Sequence, residues 1–409
     1  MKRALILGAG TAGTMMANKL VKRLDMHKWE VMVVDRNDVH YYQPGFLFIP
    51  FGTYSPKDVV KAKSSFISKK AKLKFGEITK VDANANTVEV GGELVSYDIL
   101  IVATGTIPTP SETPGLLGDR WYKNIFDFYT YEGAVALYEH LKEFKGGKLV
   151  MSITELPYKC PIAPLEFVFL ADEFFKKKGI RDKVEITYTT PMSGAFTKPV
   201  ATKLLSSLLE EKQIHVSTDF YVEGVEEDRN TLKSYDGREV DFDTLVVVPV
   251  NMGDRIWEST GLADDLNYVQ VDKHTMQSVS KSNIFAIGDA ANLPTSKAGS
   301  VAHFAAEVLL ENVVGYAKGV IPSHKFDGHA NCFIETGFGK ATLIDFDYNT
   351  EPLPGVYPYP IIGPLKLLGN TTLNHWGKLA FKPIYWEFLM KDRKLPVSSS
   401  FSLAGKKLK

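Results

Sequence analysis

Short apolar runs alternate with helical stretches along the first 300 residues, and this pattern predicts an α/β protein with buried parallel strands. A short apolar run at Ala4–Leu7 is followed by a glycine-rich loop and by a helical stretch through Leu24. The other predicted strands are Val31–Val34, Tyr97–Val102, Lys148–Ile153, Val184–Tyr188, Leu245–Val250 and Ile284–Ile287. Continuous apolar runs of this length are typical of strands covered on both faces.

The loop after the first strand carries a dinucleotide-binding pattern. It reads Gly8-Ala9-Gly10-Thr11-Ala12-Gly13, and the next strand ends in Asp35. The glycines allow a tight turn and a close approach of the backbone to a pyrophosphate, which the N-terminus of the following helix attracts. Asp35 lies where an acidic residue takes the ribose hydroxyls. The alternative is an ordinary βα turn, but strand, loop, helix and acid together favour dinucleotide binding.

Two further motifs indicate which dinucleotide binds. Ala103-Thr104-Gly105 follows the Tyr97–Val102 strand, and Gly288-Asp289 follows the Ile284–Ile287 strand. They resemble the ATG and GD motifs of the two-dinucleotide-binding flavoproteins, in which the aspartate binds the ribityl chain of FAD. This resemblance implies FAD as the cofactor and two Rossmann-like domains of the disulfide-reductase type.

The second α/β unit departs from that pattern. In such flavoproteins the strand at Lys148–Ile153 opens onto a second glycine loop, which binds the pyrophosphate of NAD(P)H. Residues 154–161 contain no glycine, and Cys160 lies near their end. Cys160 and Cys332 are the only cysteines in 409 residues. Their spacing leaves two alternatives open, a pair of unrelated buried thiols or one redox pair. The position of Cys160 favours the second, with electrons entering through sulfur.

The chain resembles the sulfide:quinone oxidoreductases and the flavoprotein subunits of flavocytochrome c sulfide dehydrogenases. The resemblance rests on the motifs above, on residues 159–161 (Lys-Cys-Pro), on residues 295–299, and on Cys332 before residues 335–337. It implies that Cys160 and Cys332 form the redox disulfide and that Lys297 lies near the flavin ring. It also implies ring contacts to a quinone, for which the candidates are Phe338, Phe381 and Tyr385.

One family feature is missing from the chain. Many members carry a third cysteine some twenty residues after the ATG motif, and in some it holds the flavin covalently. Here that stretch, residues 122–127, has no cysteine. We therefore expect FAD to be bound non-covalently. Sulfide chemistry also needs a thiolate of lowered pKa, for which Lys159 is a candidate partner. Glu166, soon after Cys160, could act as a base, but we favour its interpretation as an exposed carboxylate at the start of a helix.

Charge is distributed unevenly along a chain whose formal net charge is zero. Overall neutrality argues against nucleic acid, whereas residues 363–409 carry eight Lys and one Arg against two acids, a net of +7. Residues 361–394 are aromatic and flanked by lysine, and Pro383 suits the first turn of a helix. This predicts a helix lying on a membrane surface. The alternative is a helix pair that packs on the body or at a dimer interface.

These observations predict a domain plan and a function. We expect an FAD-binding domain at 1–110 and 256–325, a second Rossmann-like domain at 111–255, and a redox-cysteine and membrane region at 326–409. The histidines and cysteines lack metal-ligand spacing, so no metal is expected. No apolar run of 18 residues and no signal peptide is evident, which predicts a peripheral, monotopic protein of a prokaryotic cell membrane.

The predicted reaction oxidises sulfide to polysulfide and reduces a membrane quinone, in a chain that can also form a homo-oligomer. Three alternatives stay open. They are a type II NADH:quinone oxidoreductase, a sulfide dehydrogenase subunit that passes electrons to a cytochrome, and a catalytically silent FAD-binding scaffold. In the favoured interpretation FAD and the cysteines work without the tail, which serves only the quinone and the membrane.

Overall fold

The computed structural model describes residues 1–395 and 397–408. The helices in this part of the chain are α1 Thr11–Arg23, α2 Tyr131–Glu143, α3 Ala163–Lys178, α4 Pro199–Glu211, α5 Gly299–Ala317 and α6 Thr372–Ile384. A π-helical turn, Tyr385–Leu389, continues directly from α6. The predicted α/β fold class is confirmed.

A parallel five-stranded sheet forms the first layer. Its strand order is Ile284–Ala286, Ile99–Val102, Lys2–Leu7, Trp29–Asp35 and Lys72–Phe75. The apolar residues of the central strands are almost completely inaccessible to solvent, as expected for strands covered on both faces. Helices α1 and α5 pack against each other beside this sheet. Because the strands are parallel, the three motif-bearing loops leave the same edge of the sheet.

A second parallel sheet has the order Ile125–Phe126, Thr244–Val248, Gly147–Ile153, Val184–Thr189 and His215–Ser217. The sequence pattern predicted its three central strands to within two residues at each end, with the largest difference at the last one, which ends at Val248 rather than at Val250. Residues 154–161 leave the carboxyl end of the central strand and lead into α3. The strands of both parallel sheets therefore end at one region of the molecule, where Cys160 lies beside the dinucleotide motifs.

A mixed sheet follows α5. Its order is Ala330–Gly337, Lys340–Phe346, Leu365–Leu367 and Gly355–Tyr357. Helix α6 packs on the first two of these strands. The smaller antiparallel units are Ile78–Asp82, Thr87–Val90 and Glu93–Ser96; Val222–Glu226, Thr231–Ser234 and Glu239–Asp241; Val39–Tyr41 with Val60–Ala62; and Ile107–Pro108 with Asn251–Met252.

The C-terminal segment differs from the prediction in two respects. Pro383 lies in the last turn of α6 rather than in a first turn, since the helix begins at Thr372. The π-helical turn that follows packs into the main core, with Tyr385, Trp386 and Leu389 buried. Lys19 of α1 further anchors this segment through an ion pair with Asp392 at 2.7 Å. The segment is therefore a structural part of the FAD-type domain, with only its outer surface left for a membrane.

None of the helices in the described residues is long and apolar enough to cross a membrane.

Candidate active site

A cavity of about 520 Å³ lies where the two parallel sheets and the Ala330–Gly337 strand converge. All but two of the predicted site residues line it. The lining members of that set are Gly8, Gly10, Thr11, Ala12, Asp35, Ala103, Thr104, Gly105, Cys160, Gly288, Asp289, Lys297, Cys332, Phe381 and Tyr385. Gly13 lies beneath the loop and Phe338 lies outside the cavity. The fold therefore gathers, around one space, residues that are up to 377 positions apart in the sequence.

The glycine loop has the backbone that a pyrophosphate requires. Gly8 has φ +96°, and a Cβ there would lie 2.4 Å from the Ala103 oxygen. A Cβ on Gly13 would lie 1.8 Å from the Gly8 oxygen, so only glycine allows α1 to pack this tightly on the strand. Gly10, the N-cap of α1, faces open space. The bare backbone at a helix N-terminus fits the phosphates of FAD.

Asp35 and Thr104 add polar groups to the same wall. The Asp35 carboxylate accepts a hydrogen bond from the Ala9 amide at 2.7 Å and pairs with Lys63 at 2.6 Å. These contacts fix its orientation and leave lone pairs for ribose hydroxyls. The Thr104 hydroxyl is buried and has no hydrogen-bond partner. An orphaned buried hydroxyl beside the glycine loop is a further indication that these residues fit a polar ligand such as FAD.

Asp289 lies at the opposite side of the dinucleotide region. Burial raises the pKa of its carboxyl, and the positive charges of Lys297 and Lys159 oppose that shift. The Lys297 ammonium donates to the Asp289 and Ala291 carbonyl oxygens at 2.8 and 2.9 Å and lies over the Tyr268 ring. Burial lowers the pKa of Lys297 to about 8, against the attraction of Asp289. Lys297 is thus held by backbone carbonyls at the cavity wall.

Both cysteines line the cavity as free thiols. Cys160 has φ +50°, a left-handed conformation that is uncommon outside glycine, and its amide donates to the Lys297 carbonyl at 2.8 Å. Its carbonyl accepts a hydrogen bond from the Tyr129 hydroxyl at 3.1 Å. Cys332 is on the Ala330–Gly337 strand. The strained turn and the strand together place the two thiols in the same cavity.

Burial disfavours the thiolate form of both cysteines. Burial raises the pKa of each to about 12, and the charge of Cys160 contributes to the shift at Cys332. The cation that opposes the shift at both is Lys378 of α6. Lys159, the predicted cation, also lines the cavity and interacts electrostatically with Cys160, so its role stays a prediction beside that of Lys378.

Lys378 belongs to a buried ionic cluster that the sequence analysis missed. Its ammonium donates to Glu166 Oε1 at 2.8 Å and to the Phe333 carbonyl at 3.0 Å. The interpretation of Glu166 as an exposed helix-start carboxylate is wrong, because its side chain is completely buried. Burial raises the pKa of Glu166, and Lys378 opposes the shift. Glu166, Lys378 and Phe333 all line the cavity beside the cysteines.

A second carboxylate adjoins this cluster. The Glu335 amide donates to Glu166 Oε1 at 2.7 Å, and the Glu335 carboxylate contacts His375 Nδ1 at 2.9 and 3.0 Å. Burial raises the pKa of Glu335 to about 7, against the effect of His375. The only sequence signal for these acids was their position, with Glu166 six residues after Cys160 and Glu335 three residues after Cys332.

The three aromatic candidates have different surroundings. Phe381 lines the cavity near Gly299. Tyr385 is buried, and its hydroxyl hydrogen bonds to Thr11 of the glycine loop at 2.7 Å and to His40 at 2.6 Å. Phe338 is about half exposed, and the ammonium groups of Lys176 and Lys212 lie over its ring. The structure thus brings Phe381 and Tyr385 to the cavity and leaves Phe338 at the surface.

Large apolar side chains are exposed around α6. They include Ile361 and Ile362, with exposed fractions of 94% and 78%, and Trp376, with 60%. Leu373 and Phe388 are also exposed. These residues flank the helix that carries Lys378 and Phe381 into the cavity. The apolar surface and the cavity are therefore connected through one helix.

The chain is similar to known proteins in both sequence and structure. The pyridine nucleotide-disulphide oxidoreductase family matches residues 2–151 and 170–307. A mitochondrial sulfide:quinone oxidoreductase of Dictyostelium discoideum is 28% identical over 400 residues, 96% of this chain and 86% of that protein. The structure of the sulfide:quinone oxidoreductase of Aquifex aeolicus aligns with a TM-score of 0.80 at 22% identity, over 96% of this chain and 92% of that chain. These matches confirm the predicted resemblance.

A shorter match is to one of the alternative classes of enzyme, the type II NADH:quinone oxidoreductases. A type II NADH:quinone oxidoreductase of Staphylococcus haemolyticus is 35% identical over 144 residues, which is 35% of this chain and 34% of that protein.

Proposed function

The chain belongs to the pyridine nucleotide-disulphide oxidoreductase family and is an FAD-dependent oxidoreductase, and from this premise we propose that it is a sulfide:quinone oxidoreductase. The observation that carries the proposal is the cavity itself. It holds Cys160 and Cys332 between the dinucleotide motifs and the aromatic face of α6. Cys160 stands where the second unit of the fold would otherwise present a glycine loop, and Cys332 reaches the same cavity from the Ala330–Gly337 strand.

The residues that would hold FAD come from the three loop motifs. Gly8–Gly13 and the N-terminus of α1 would bind the pyrophosphate, and Asp35 would bind the ribose. Asp289 would bind the ribityl chain, with Lys297 close to the ring. FAD, when bound, would supply a carrier that takes two electrons from sulfur and passes them to a quinone. No cysteine beyond the redox pair is present, so we propose that FAD is held non-covalently.

The cysteines would act as a disulfide toward sulfide. HS⁻ attacks one sulfur of the Cys160–Cys332 bond, which breaks as a new S–S bond forms. One cysteine then carries a persulfide and the other leaves as a thiolate. Burial disfavours that thiolate, and the Lys378 ammonium is the group that stabilises it. Each further HS⁻ that joins the bound chain loses one proton and two electrons, which the quinone takes up by way of FAD, and the chain grows into polysulfide.

The quinone, which accepts the electrons, would bind at the face of α6 that borders the cavity. Phe381 and Tyr385 line the cavity there and would contact the quinone ring. Ile361, Ile362 and Trp376 would enter the interfacial zone of a membrane, where aromatic and apolar side chains flanked by lysine are favoured. The net reaction is HS⁻ + quinone + H⁺ → S⁰ + quinol, with S⁰ held in polysulfide. The protein would thus work as a peripheral, monotopic enzyme.

A type II NADH:quinone oxidoreductase is the second candidate, since a member of that class shares 35% identity over 144 residues. It needs a site for the pyrophosphate of NADH, and the glycine-free loop at 154–161 argues against one.

Anaerobic mixing of the FAD-loaded protein with sulfide or with NADH separates the two candidates. We expect sulfide to bleach the flavin absorbance within one turnover and NADH to leave it almost unchanged. Bleaching by NADH as fast as by sulfide would contradict the proposal. A protein that neither donor reduces would be an FAD-binding scaffold.

A further inference from the structure

The net reaction needs one proton from solvent for each turnover. Quinone reduction consumes two protons, whereas the oxidation of HS⁻ to bound sulfur releases one. Glu166 and Cys332, at the thiol end of the cavity, are buried, so a series of titratable side chains can bring this proton from the surface. This inference rests on the proposed function, because it is the quinone that creates the demand for a proton.

Four titratable side chains lie one after another from the surface to the cavity, and the two in the middle, Glu335 and Glu166, interact electrostatically rather than through a side-chain hydrogen bond. His375, whose side chain is 21% exposed, contacts both oxygens of the buried Glu335 carboxylate at 2.9 and 3.0 Å. Glu335 is joined to Glu166 through its own amide, at 2.7 Å from Glu166 Oε1. Lys378 completes the series with its 2.8 Å contact to the same oxygen. Glu166 Oε2 is buried and has no partner, on a residue that lines the cavity.

Helix geometry accounts for this arrangement. His375 and Lys378 are three residues apart on α6, so both project toward the Ala330–Gly337 strand. The N-cap contact, in which Thr371 Oγ1 accepts from the Asn374 amide at 3.1 Å, fixes the start of the helix. The first turn of α6 thus holds His375 at the solvent side and its next turn holds Lys378 at the cavity side.

We propose that His375 and Glu335 form the proton-entry path that serves the Glu166–Lys378 pair at the cavity. His375 takes a proton from solvent and gives it to the Glu335 carboxylate. Glu335, which interacts electrostatically with Glu166 and Lys378, passes it inward to Glu166, whose Oε2 atom is buried without a partner on a residue that lines the cavity. The proton leaves on the quinol, and the path returns to its starting charge.

The charged surroundings of Glu335 suit this role. The groups that act on its carboxyl are His375 and Lys378 on α6 and Glu166 on α3, and Glu335 in turn acts on the hydroxyl of Tyr54 from the loop before residue 56. Burial outweighs the favourable contact with His375, and the pKa of Glu335 rises to about 7. A carboxyl with that pKa exchanges protons in both directions near neutral pH.

Other histidines in the described residues are less suited to this role. His40 contacts Tyr385 at the cavity but is buried, with only 2% of its surface exposed. His303 does not line the cavity, and its Nδ1 atom is buried without a partner. His375 therefore combines solvent access with a direct contact to a buried carboxylate that adjoins the cavity.

The test isolates the quinone step from the sulfide step. FAD-loaded protein is reduced with dithionite, mixed with a short-chain quinone between pH 5.5 and 9, and followed by the return of the flavin absorbance. We expect the wild-type rate to fall as pH rises through 7, where Glu335 loses its proton. Glu335→Gln should be at least about tenfold slower at pH 6.5 and should lose this pH dependence, since an amide carries no proton. Glu311→Gln, which removes a surface carboxylate paired with Arg23, is the matched control.

A second variant separates proton transfer from a structural effect. His375→Ala should be slow, and added imidazole should restore much of its rate, because the side chain it replaces is partly exposed. A purely structural role would not respond to imidazole. Two results would contradict the proton path but not the proposed function: a Glu335→Gln protein with the wild-type rate and pH profile, or a His375→Ala protein that imidazole does not accelerate. Wild-type protein that quinone fails to reoxidise would instead overturn the proposed acceptor, and the path with it.

Discussion

Replacement of Lys378 by Met is the perturbation whose energetic effect the structure defines most closely. The ammonium lies 2.8 Å from the fully buried Glu166 carboxylate. Its own burial disfavours the charge, but Glu166 and Cys160 outweigh that effect and raise the pKa of Lys378. Loss of one partner of such a pair leaves an uncompensated buried charge, which typically costs about 3–5 kcal/mol.

Protonation of Glu166 limits that cost and gives it a pH dependence. In the unfolded chain the carboxyl has its ordinary pKa of 4.5, whereas burial raises the pKa in the folded protein, and in the variant Lys378 no longer opposes that shift. A raised carboxyl pKa means that stability is lost as pH rises above 4.5. At about 1.4 kcal/mol per pH unit, the loss cannot exceed about 5 kcal/mol at pH 8 and about 2 kcal/mol at pH 6.

Guanidinium unfolding of FAD-loaded protein at pH 6 and pH 8 measures these values. We expect Lys378→Met to lose more stability at pH 8 than at pH 6, by up to about 3 kcal/mol. The double variant Glu166→Gln/Lys378→Met should recover more than half of the loss and show no such pH dependence, since a neutral pair avoids the buried charge. Equal destabilisation at both pH values, or a double variant as unstable as the single one, would refute the reasoning.

Three further predictions concern the cofactor and the membrane surface. Tyr385→Phe removes hydroxyl contacts to Thr11 and His40 and should weaken FAD binding by up to roughly thirtyfold, at about 1 kcal/mol for each of the two contacts; an unchanged dissociation constant in a fluorescence titration would contradict this. Trichloroacetic acid should release all of the FAD into the supernatant, and flavin retained in the precipitate would indicate a covalent link. Trp376→Ser should reduce sedimentation with anionic vesicles several-fold, with the exposed Tyr235→Ser as the control; equal loss in both variants would argue against a specific membrane face.

The dinucleotide motifs could be located from sequence because their environment is local. Each follows an apolar strand, and parallel strands bring their carboxyl ends to one edge of a sheet. Gly8, Ala103 and Gly288 therefore line one cavity although no single motif specifies the others. Cys160 was found by a related argument, because the strand before it belongs to a second sheet of the same kind.

The ionic cluster could not be predicted because its members are brought together only by the tertiary fold. Glu166 and Lys378 are 212 residues apart, and a charged residue in the first turn of a helix is ordinarily exposed. For the same reason, the sequence does not reveal that the C-terminal segment packs against the glycine loop. Tyr385 bonds to Thr11 across 374 residues, so the segment predicted to serve only the membrane also supports the FAD loop. We therefore expect truncation of this segment to weaken FAD binding as well as any function of its outer surface.

The central claim is that electrons enter through Cys160 and Cys332, and anaerobic stopped-flow reduction by sulfide tests it most directly. Wild-type protein, Cys160→Ser and Cys332→Ser are compared at equal FAD content, with dithionite reduction as the control for an intact flavin site. We expect sulfide to bleach the wild-type flavin rapidly and each variant at least about a hundredfold more slowly, while dithionite reduces all three. Bleaching of either variant at the wild-type rate would contradict the account.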